Sequence, residues 1–497
     1  MPRAAVRRLS GRSLRAIGVS SRPNAGFPAR RAPRTRVLNA VARGRPSASP
    51  RSPPRGRRPA RDAGQRSTPR LWHHALAGGG RLRLSSDSAG DATAVKPWAA
   101  FGFRDYRLLW LAALGAFSTR QLRLLVAGVW LFEETGSAEQ VGLLGAVQLV
   151  MQLPALLYGG TLADRVDRRR LMAGMEAITF LVVTLLAVLA VTGSLTPAHI
   201  YLATAVTAVT SMLGQPARTA LTPMVVPRTH IMHAVTANNV MQQVAAVVAP
   251  LLFAVVAEGI GLAAAFVATA LVAWPGVLLP LAIAAPGRAS TAAQRGSVLH
   301  ETWEGLKYVR RHPLLPGIYL MDIGVTVVTF YRQILPVLVF QLFRGGPGAV
   351  GMLTAANSVG AIAGGLLVLF LAPFRAKGML VIYATVVYAL LVLVFGLSSS
   401  LLLGAIVIAG LGAADAVTVV VRQATVQLTT PAEMLGRASS VQSAAAQTAN
   451  NIGTLEVGLL AGAIGASSTL LIGGALALLA TLVIWRTVPA IREYRYP

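Results

Sequence analysis

The strongest constraint on this fold is a series of twelve long apolar runs between Leu108 and Trp485. Eleven of the runs have 19–25 residues and the seventh has 29, enough in each case for an α-helix to cross the hydrocarbon core of a bilayer. Inside lipid every backbone N–H and C=O must be paired within the segment, and this favours helices over open sheets. The sequence therefore predicts an all-α membrane protein with twelve transmembrane helices. The predicted spans are 108–132, 140–161, 171–192, 199–217, 236–257, 260–284, 314–342, 347–371, 379–397, 400–421, 438–462 and 464–485.

A polar stretch at 285–313 divides the twelve spans into two sets of six. Six spans on each side of a central connection is the layout of two repeated, pseudo-symmetric halves. We therefore predict an N-terminal six-helix bundle at 100–284 and a C-terminal six-helix bundle at 314–490. The connection itself should carry an amphipathic helix near 299–311 on the membrane surface.

The distribution of basic residues predicts the orientation of these spans. Of the 25 lysines and arginines after residue 95, 21 fall on segments that are cytoplasmic if both termini are cytoplasmic. Three more lie within spans, and Arg344 alone falls on the other side. Basic residues concentrate on the cytoplasmic side of membrane proteins. The pattern predicts a multi-pass protein of the cell (inner) membrane with both termini in the cytoplasm.

Residues 1–95 differ in composition from the rest of the chain. They hold 21 arginines and three acidic residues, together with many Pro, Ser and Gly and no sustained apolar period. Such a segment buries too little apolar surface to offset its chain entropy, so we predict a disordered tail. Three interpretations stay open: a tail lying against anionic lipid headgroups, a start assigned too far upstream, or an organellar targeting peptide. Nucleic-acid binding is not expected, because only two aromatic residues, Phe27 and Trp72, lie among the 21 arginines.

Composition excludes several other classes of function. The chain has no cysteine, which removes disulfides, thiolate nucleophiles and cysteine-ligated metals. None of its three lysines follows a glycine, so no phosphate-binding loop of an ATP-driven motor is present. His230 and His233 have no third ligand nearby in sequence, and no metal site is predicted. We expect neither a cofactor nor an enzymatic activity.

The turn between the second and third spans carries a specific motif. It runs Gly-Thr-Leu-Ala-Asp-Arg-Val-Asp-Arg-Arg-Arg over residues 160–170 and resembles the signature loop of the major facilitator superfamily. The family pattern has glycine in many members where this chain has Asp167. The resemblance implies a latch that helps to hold the cytoplasmic gate shut in the outward-facing state. The residues that carry it are Gly160, Asp164, Arg165, Asp167, Arg168 and Arg169.

Three further stretches, at 214–228, 304–313 and 421–437, resemble the exporter branch that includes enterobactin exporters and transmembrane secretion effectors. The resemblance covers roughly residues 100–490 and implies export of a siderophore- or drug-like small molecule. The antiporter motif expected in the fifth span keeps its proline, Pro250, but lacks its glycines. The second copy of the signature loop, at 373–378, has no acidic residue.

Charged side chains inside spans cost roughly 2.5–3.5 kcal/mol each and are therefore candidates for function. Arg120 and Arg123 share one face of the first span, and a pair of arginines in a central cavity would suit an anionic or catechol-like substrate. The candidate proton carriers are Asp322, then Glu456, then Asp415, which is last because it can pair with Arg422 instead. Mutual pairing of all these charges, with no role in transport, stays an equal alternative.

Amide side chains also cluster on single faces of the second, fifth and eleventh spans. Hydrogen bonding between helices explains them as well as contact with substrate does. We predict that Asn239, Gln243 and Asn451 line the cavity.

Together these features predict a monomeric, proton-coupled exporter that works by alternating access. An importer of a small solute on the same fold remains an alternative, because the fold does not determine the direction of transport. A second alternative is a membrane sensor or assembly partner that transports nothing.

Overall fold

The computed structural model describes residues 98–287 and 298–495, except the side chains at 157–161, 163–165 and 298–301. The predicted tail at 1–95 lies outside the described residues. Short 3₁₀ turns at Ala99–Gly102, Arg228–His230 and Leu279–Ala282 accompany the α-helices. The α-helices are α1 (Arg104–Thr135), α2 (Ala138–Arg165), α3 (Arg168–Val191), α4 (Pro197–Val225), α5 (Ile231–Gly259), α6 (Leu262–Leu278), α7 (Val298–Arg311), α8 (Leu315–Thr329), α9 (Leu335–Leu338), α10 (Pro347–Phe370), α11 (Lys377–Leu397), α12 (Leu401–Thr429), α13 (Ala432–Ile464), α14 (Ala466–Thr487) and α15 (Pro489–Glu493).

The described helices confirm an all-α, multi-pass membrane fold. Seven of them, namely α3, α5, α6, α10, α11, α12 and α14, are long and apolar enough to cross a membrane. Helices α1, α2, α4 and α13 are as long but carry more polar side chains: α1 and α4 line a cavity described below, and α2 and α13 pack against each other across the two halves. For these four helices and for the seventh span, the membrane crossing remains a prediction.

The seventh predicted span, 314–342, is interrupted rather than continuous. Helix α8 ends at Thr329, a non-helical segment follows, and the chain resumes as α9 and a π-helical turn at Val339–Phe343. Pro336 contributes to the break, because a proline lacks an N–H and its ring clashes with the carbonyl four residues earlier. Non-helical backbone at membrane depth is tolerated where it is buried in protein or lines a cavity.

We call the end with the turns after α2, α4, α10 and α12 the arginine-rich end, and the other the opposite end. Near the opposite end glycines bring the two halves into close contact. A Cβ atom on Gly145 of α2 would lie 2.5 Å from the carbonyl oxygen of Asn451 in α13. One on Gly351 of α10 would lie 2.5 Å from the carbonyl oxygen of Pro250 in α5. Two helix pairs, α2–α13 and α5–α10, therefore join the halves, and this packing depends on small residues.

Buried side chains show on which side the halves separate. One cluster at the opposite end combines residues of both halves, including Leu131 and Val141 with Leu338 and Val457. At the arginine-rich end the first half has its own cluster around Tyr106, and a second cluster there draws its residues from α7 onward. Among the described residues, the halves thus share a core at the opposite end only. The space between them opens toward the arginine-rich end.

Candidate functional site

A cavity in the first half of the molecule, together with the solvent-filled space at its mouth, has a volume of about 1060 Å³. Helices α1, α3, α4 and α5 form its wall. Many of its lining side chains are hydroxyls, amides or charged groups: Arg120, Arg123, Glu176, Thr179, Thr207, Thr210, Ser211, Gln215, Arg218, Thr219, Thr222, Asn238 and Gln242. Together these side chains offer more hydrogen-bond donors than negatively charged acceptors.

The first cavity has a net positive charge. Arg218 pairs with Glu176, with 2.8 Å between the guanidinium nitrogen and the carboxylate oxygen. Arg120 and Arg123 also line the cavity, and Arg123 is only 8% exposed. Within 98–287 and 298–495, neither of these two arginines has an ion pair or a hydrogen bond. Because buried cations normally require a partner, this wall is suited to an anionic ligand.

A second cavity lies in the other half and has a volume of about 630 Å³, the space at its mouth included. It contains two ion pairs. Asp322 pairs with Arg422. Asp415 pairs with Arg332, with 2.6 Å between the carboxylate oxygen and the guanidinium nitrogen. The sequence-based pairing of Asp415 with Arg422 is therefore wrong. Arg422 lies seven residues beyond Asp415 on α12, nearly two helical turns away, whereas α8 brings Asp322 directly to it. The charges of this cavity are balanced.

The interrupted seventh span contributes directly to this cavity. Tyr331 and Arg332 lie in the non-helical segment and line it. The amide of Asn357 in α10 donates a hydrogen bond of 2.5 Å to the Tyr331 hydroxyl and another, of 3.3 Å, to the Ile408 carbonyl. Arg332 extends from the break to Asp415. The break thus places the Arg332 side chain in the second cavity, in a position that a regular helix would not give it.

Amide side chains connect the two halves beside the cavities. The Gln148 amide of α2 donates to Gln333 at 3.3 Å, and the Thr454 hydroxyl donates to the same oxygen at 3.1 Å. Asn451 donates to Gln152 at 2.8 Å. The structure therefore places Asn451 between the helices, buried and hydrogen bonded, rather than in the lining of either cavity.

The other sequence candidates lie in different positions. Asn239 and Gln243 are exposed and line neither cavity, whereas their neighbours Asn238 and Gln242 line the first. The prediction therefore chose residues one position further along α5 than those that line the cavity, and on a helix such a step turns the side chain to a different face. Glu456 lines neither cavity, and one of its carboxylate oxygens is buried without a hydrogen-bond partner in the part of the chain that is described.

Part of the signature loop can be placed. Asp167 is the N-cap of α3: its carboxylate accepts from the Arg169 N–H at 3.0 Å and pairs with the Arg169 guanidinium at 3.0 Å. The bond from the Arg169 side chain holds the pKa of Asp167 below its usual value. Arg169 also donates to the Ile283 carbonyl, and Arg168 to the Met224 sulfur. The contacts just described all lie within the first half.

The other residues of the predicted latch, Gly160 and the side chains of Asp164 and Arg165, lie outside what the structure describes. Where the loop is described, it braces α3 against the segment after α6 and against α4. This is consistent with an arginine-rich end at which the halves are apart.

Sequence reasoning left three charged residues of the cavities out of the intramembrane charges: Glu176, Arg218 and Arg422, the last named only as a possible partner of Asp415. Glu176 falls inside the predicted third span and should have been counted with the other intramembrane charges. The two arginines lie just beyond the predicted ends at 217 and 421, whereas α4 and α12 continue to Val225 and Thr429. A longer helix limit on the arginine-rich side would have found both.

Comparison with known families gives one match over most of the chain. The family model described as transmembrane secretion effector matches residues 95–494. The enterobactin exporter EntS of Citrobacter koseri is 28% identical over 410 residues, which cover 80% of this chain and 93% of that protein. EntS of Escherichia coli O81 is 28% identical over 382 residues, covering 75% of this chain and 85% of its own length.

Solved transporter structures share the fold. The nucleoside transporter NupG superimposes with a TM-score of 0.64 at 12% identity, covering 79% of this chain and 100% of its own. A bacterial homologue of the iron transporter ferroportin, in an inward-facing state, gives 0.60 at 15% identity, with 77% and 98% covered. At such low identity these likenesses show a common fold and no common substrate.

Proposed function

Because the chain belongs to the transmembrane secretion effector family of major facilitator transporters, we propose that it exports a small anionic molecule from the cytoplasm in exchange for protons. The observation that carries the proposal is the wall of the first cavity, where Arg120 and Arg123 lie without an acidic partner among the described residues. An anionic, siderophore- or drug-like compound would supply the missing negative charge. The named relatives, which are enterobactin exporters, support this class of substrate.

Export requires the cavity to open alternately to the two sides of the membrane. The shared core at the opposite end and the open arginine-rich end describe one of the two states. Rocking of the halves would break the α2–α13 and α5–α10 contacts and bring the arginine-rich turns together. With those turns in the cytoplasm, as the distribution of arginines predicts, the cavity faces the cytoplasm and is ready to load a substrate for export.

Proton coupling is assigned first to Asp322. This carboxylate lines the second cavity and pairs with Arg422, so its protonation would release the arginine and change the charge of the cavity wall. Asp415 lines the same cavity but is bound to Arg332. Glu456 lies outside both cavities, which makes it a weaker carrier than the sequence predicted.

Transport by inverted inner-membrane vesicles tests this proposal. An exporter accumulates labelled substrate inside such vesicles when a proton gradient is imposed, and an uncoupler abolishes the accumulation. An importer on the same fold would instead accumulate substrate in right-side-out vesicles. The compounds to test are anionic molecules that wild-type cells export and a deletion strain retains. If neither vesicle preparation transported any of them, the proposal would be wrong.

A further inference from the structure

Helix α7, between the two halves, is fixed on one side against α13. Gly305 and Val309 are buried, and a Cβ atom on Gly305 would lie 2.9 Å from the Arg437 carbonyl oxygen. The Glu304 carboxylate pairs with the Arg437 guanidinium at 3.2 Å. Helix α7 also lies near α2 of the first half. Its position at the arginine-rich end is therefore defined by packing and by charge.

The other side of α7 combines exposed apolar and exposed basic side chains. Trp303 is 65% exposed and Leu306 is 45% exposed, although both are large and apolar. Lys307 and Arg310 are exposed beside them. The spacing of these four residues, i, i+3, i+4 and i+7, places them on one face of the helix. Neither basic residue has an ion-pair partner among the described residues.

The chain geometry keeps α7 next to the start of the predicted seventh span. Helix α7 ends at Arg311, and α8, which begins the seventh span, starts at Leu315. His312 fixes the turn between them, since its Nδ1 atom accepts the backbone N–H groups of Leu314 and Leu315 at 3.2 Å each. Burial lowers the pKa of His312, which favours the neutral ring that can accept these bonds. The predicted entry of the seventh span into the membrane therefore brings the membrane surface close to α7.

We propose that the Trp303–Leu306–Lys307–Arg310 face of α7 binds anionic lipid headgroups. Tryptophan is favoured at headgroup depth, where its ring is amphipathic, and the stems of lysine and arginine extend along apolar surface with the charge in the headgroups. A polar protein partner would not account for the exposed Trp303 and Leu306. The buried side of α7 packs against α13 of the second half. Anionic lipid bound to the opposite side would therefore help to keep α7 in this position. This proposal does not depend on what the protein transports.

Hydrogen exchange in nanodiscs tests the role of charge. The full chain is compared in phosphatidylcholine alone and in phosphatidylcholine mixed with phosphatidylglycerol. We expect the α7 amides to exchange more slowly in the anionic discs, and high salt to remove the difference. The double substitution Lys307→Gln/Arg310→Gln should weaken the effect by about fivefold per cation. The matched control, Arg228→Gln/Arg375→Gln, removes two exposed charges from the same end and should keep the wild-type response. Equal protection in the two lipids would overturn the proposal.

Fluorescence quenching separates a membrane from a protein partner. The contribution of Trp303 is obtained as the difference between the wild type and Trp303→Phe. Lipids brominated near the headgroup should quench this contribution in anionic discs, whereas a ring covered by a protein or a second copy of the chain would not be quenched. If Trp303 were not quenched although the α7 amides were protected from exchange, the face would be covered by protein, and the lipid proposal would be wrong.

Discussion

Arg218 and Arg422 occupy the same position in two helices of equal length. Helices α4 and α12 each contain 29 residues, and each arginine is the twenty-second residue of its helix. Each also lies nine residues before a proline, Pro227 and Pro431. Both arginines form ion pairs in the cavity of their own half. The two repeats thus place a paired arginine at equivalent depth on each side of the central space.

The acidic partners do not follow the repeat. Glu176 comes from α3, the third helix of the first half, whereas Asp322 comes from α8, at the start of the second half. The first half keeps two further arginines, while the second half balances its remaining arginine with Asp415. This asymmetry gives one cavity a net charge and leaves the other neutral. We assign anion binding to the first and proton exchange to the second.

Replacement of Asp322 with Asn should abolish proton-driven accumulation of substrate. The amide cannot exchange a proton, and Arg422 loses its counter-charge, at a cost of about 3–5 kcal/mol if the site does not relax. The measurement is uptake into inverted vesicles with an imposed proton gradient. Substrate exchange without a gradient should persist and shows that the variant is folded. The control is Glu456→Gln, outside both cavities; if it lost coupling while Asp322→Asn kept it, the assignment would be reversed.

Replacement of Glu176 with Gln should strengthen binding of an anionic substrate at the expense of release. Arg218 then has no carboxylate partner, and the first cavity holds three uncompensated cations instead of two. We expect a lower KM and a lower maximal rate, because a ligand held more tightly leaves more slowly. An unchanged KM would show that Arg218 does not face the bound substrate.

Replacement of Arg120 or Arg123 with Gln should weaken binding of the same substrate. A hydrogen bond to a charged group contributes about 1.5–3 kcal/mol, which corresponds to roughly 10- to 100-fold in affinity. Equilibrium binding in detergent measures this without a need for coupling. A matched control is Arg486→Gln, whose guanidinium lies over the Trp485 ring, far along the chain from either cavity. Equal losses at all three positions would indicate a general effect of net charge.

Much of this fold was accessible from the sequence because lipid imposes a simple requirement. Long apolar runs must become helices, so the limits of α3, α10, α11 and α14 lie close to the predicted ones. The break at Phe330–Ile334 was not predicted, since Pro336 lies in an apolar run that proline alone would not end in a membrane. Ion pairing was harder still. Which carboxylate meets Arg422 depends on the packing of α8 against its neighbours, and neither spacing nor composition contains that information.

Replacement of Gly145 with Ala should open the opposite end. Its Cβ atom would lie 2.5 Å from the Asn451 carbonyl oxygen and 2.6 Å from the Thr454 Cβ, so α2 must move away from α13. Forcing an additional carbon into a packed contact costs about 1–3 kcal/mol. The control is Gly174→Ala, which has nothing within 4 Å of the added atom. Because the chain has no cysteine, a single Val141→Cys reporter is accessible only when the opposite end opens. Faster labelling by a membrane-impermeant maleimide is expected with Gly145→Ala alone; equal labelling would show that this contact does not close the gate.

Asp167, the departure from the family signature, should stabilise the arginine-rich end of α3 in a pH-dependent way. Asp167→Ala removes the N-cap at a cost of about 1 kcal/mol, whereas Asp167→Asn keeps a capping oxygen and loses only the charge pair with Arg169. The pKa of Asp167 is lowered in the folded protein, so its stabilising contribution is complete above the pKa of the unfolded carboxyl. That contribution is lost as the pH falls through the folded-state pKa. Apparent melting temperatures in detergent should therefore favour the wild type over Asp167→Asn at neutral pH, and the two should converge in acid. A difference that persisted at low pH would mean that Asp167 acts through its shape rather than through its charge.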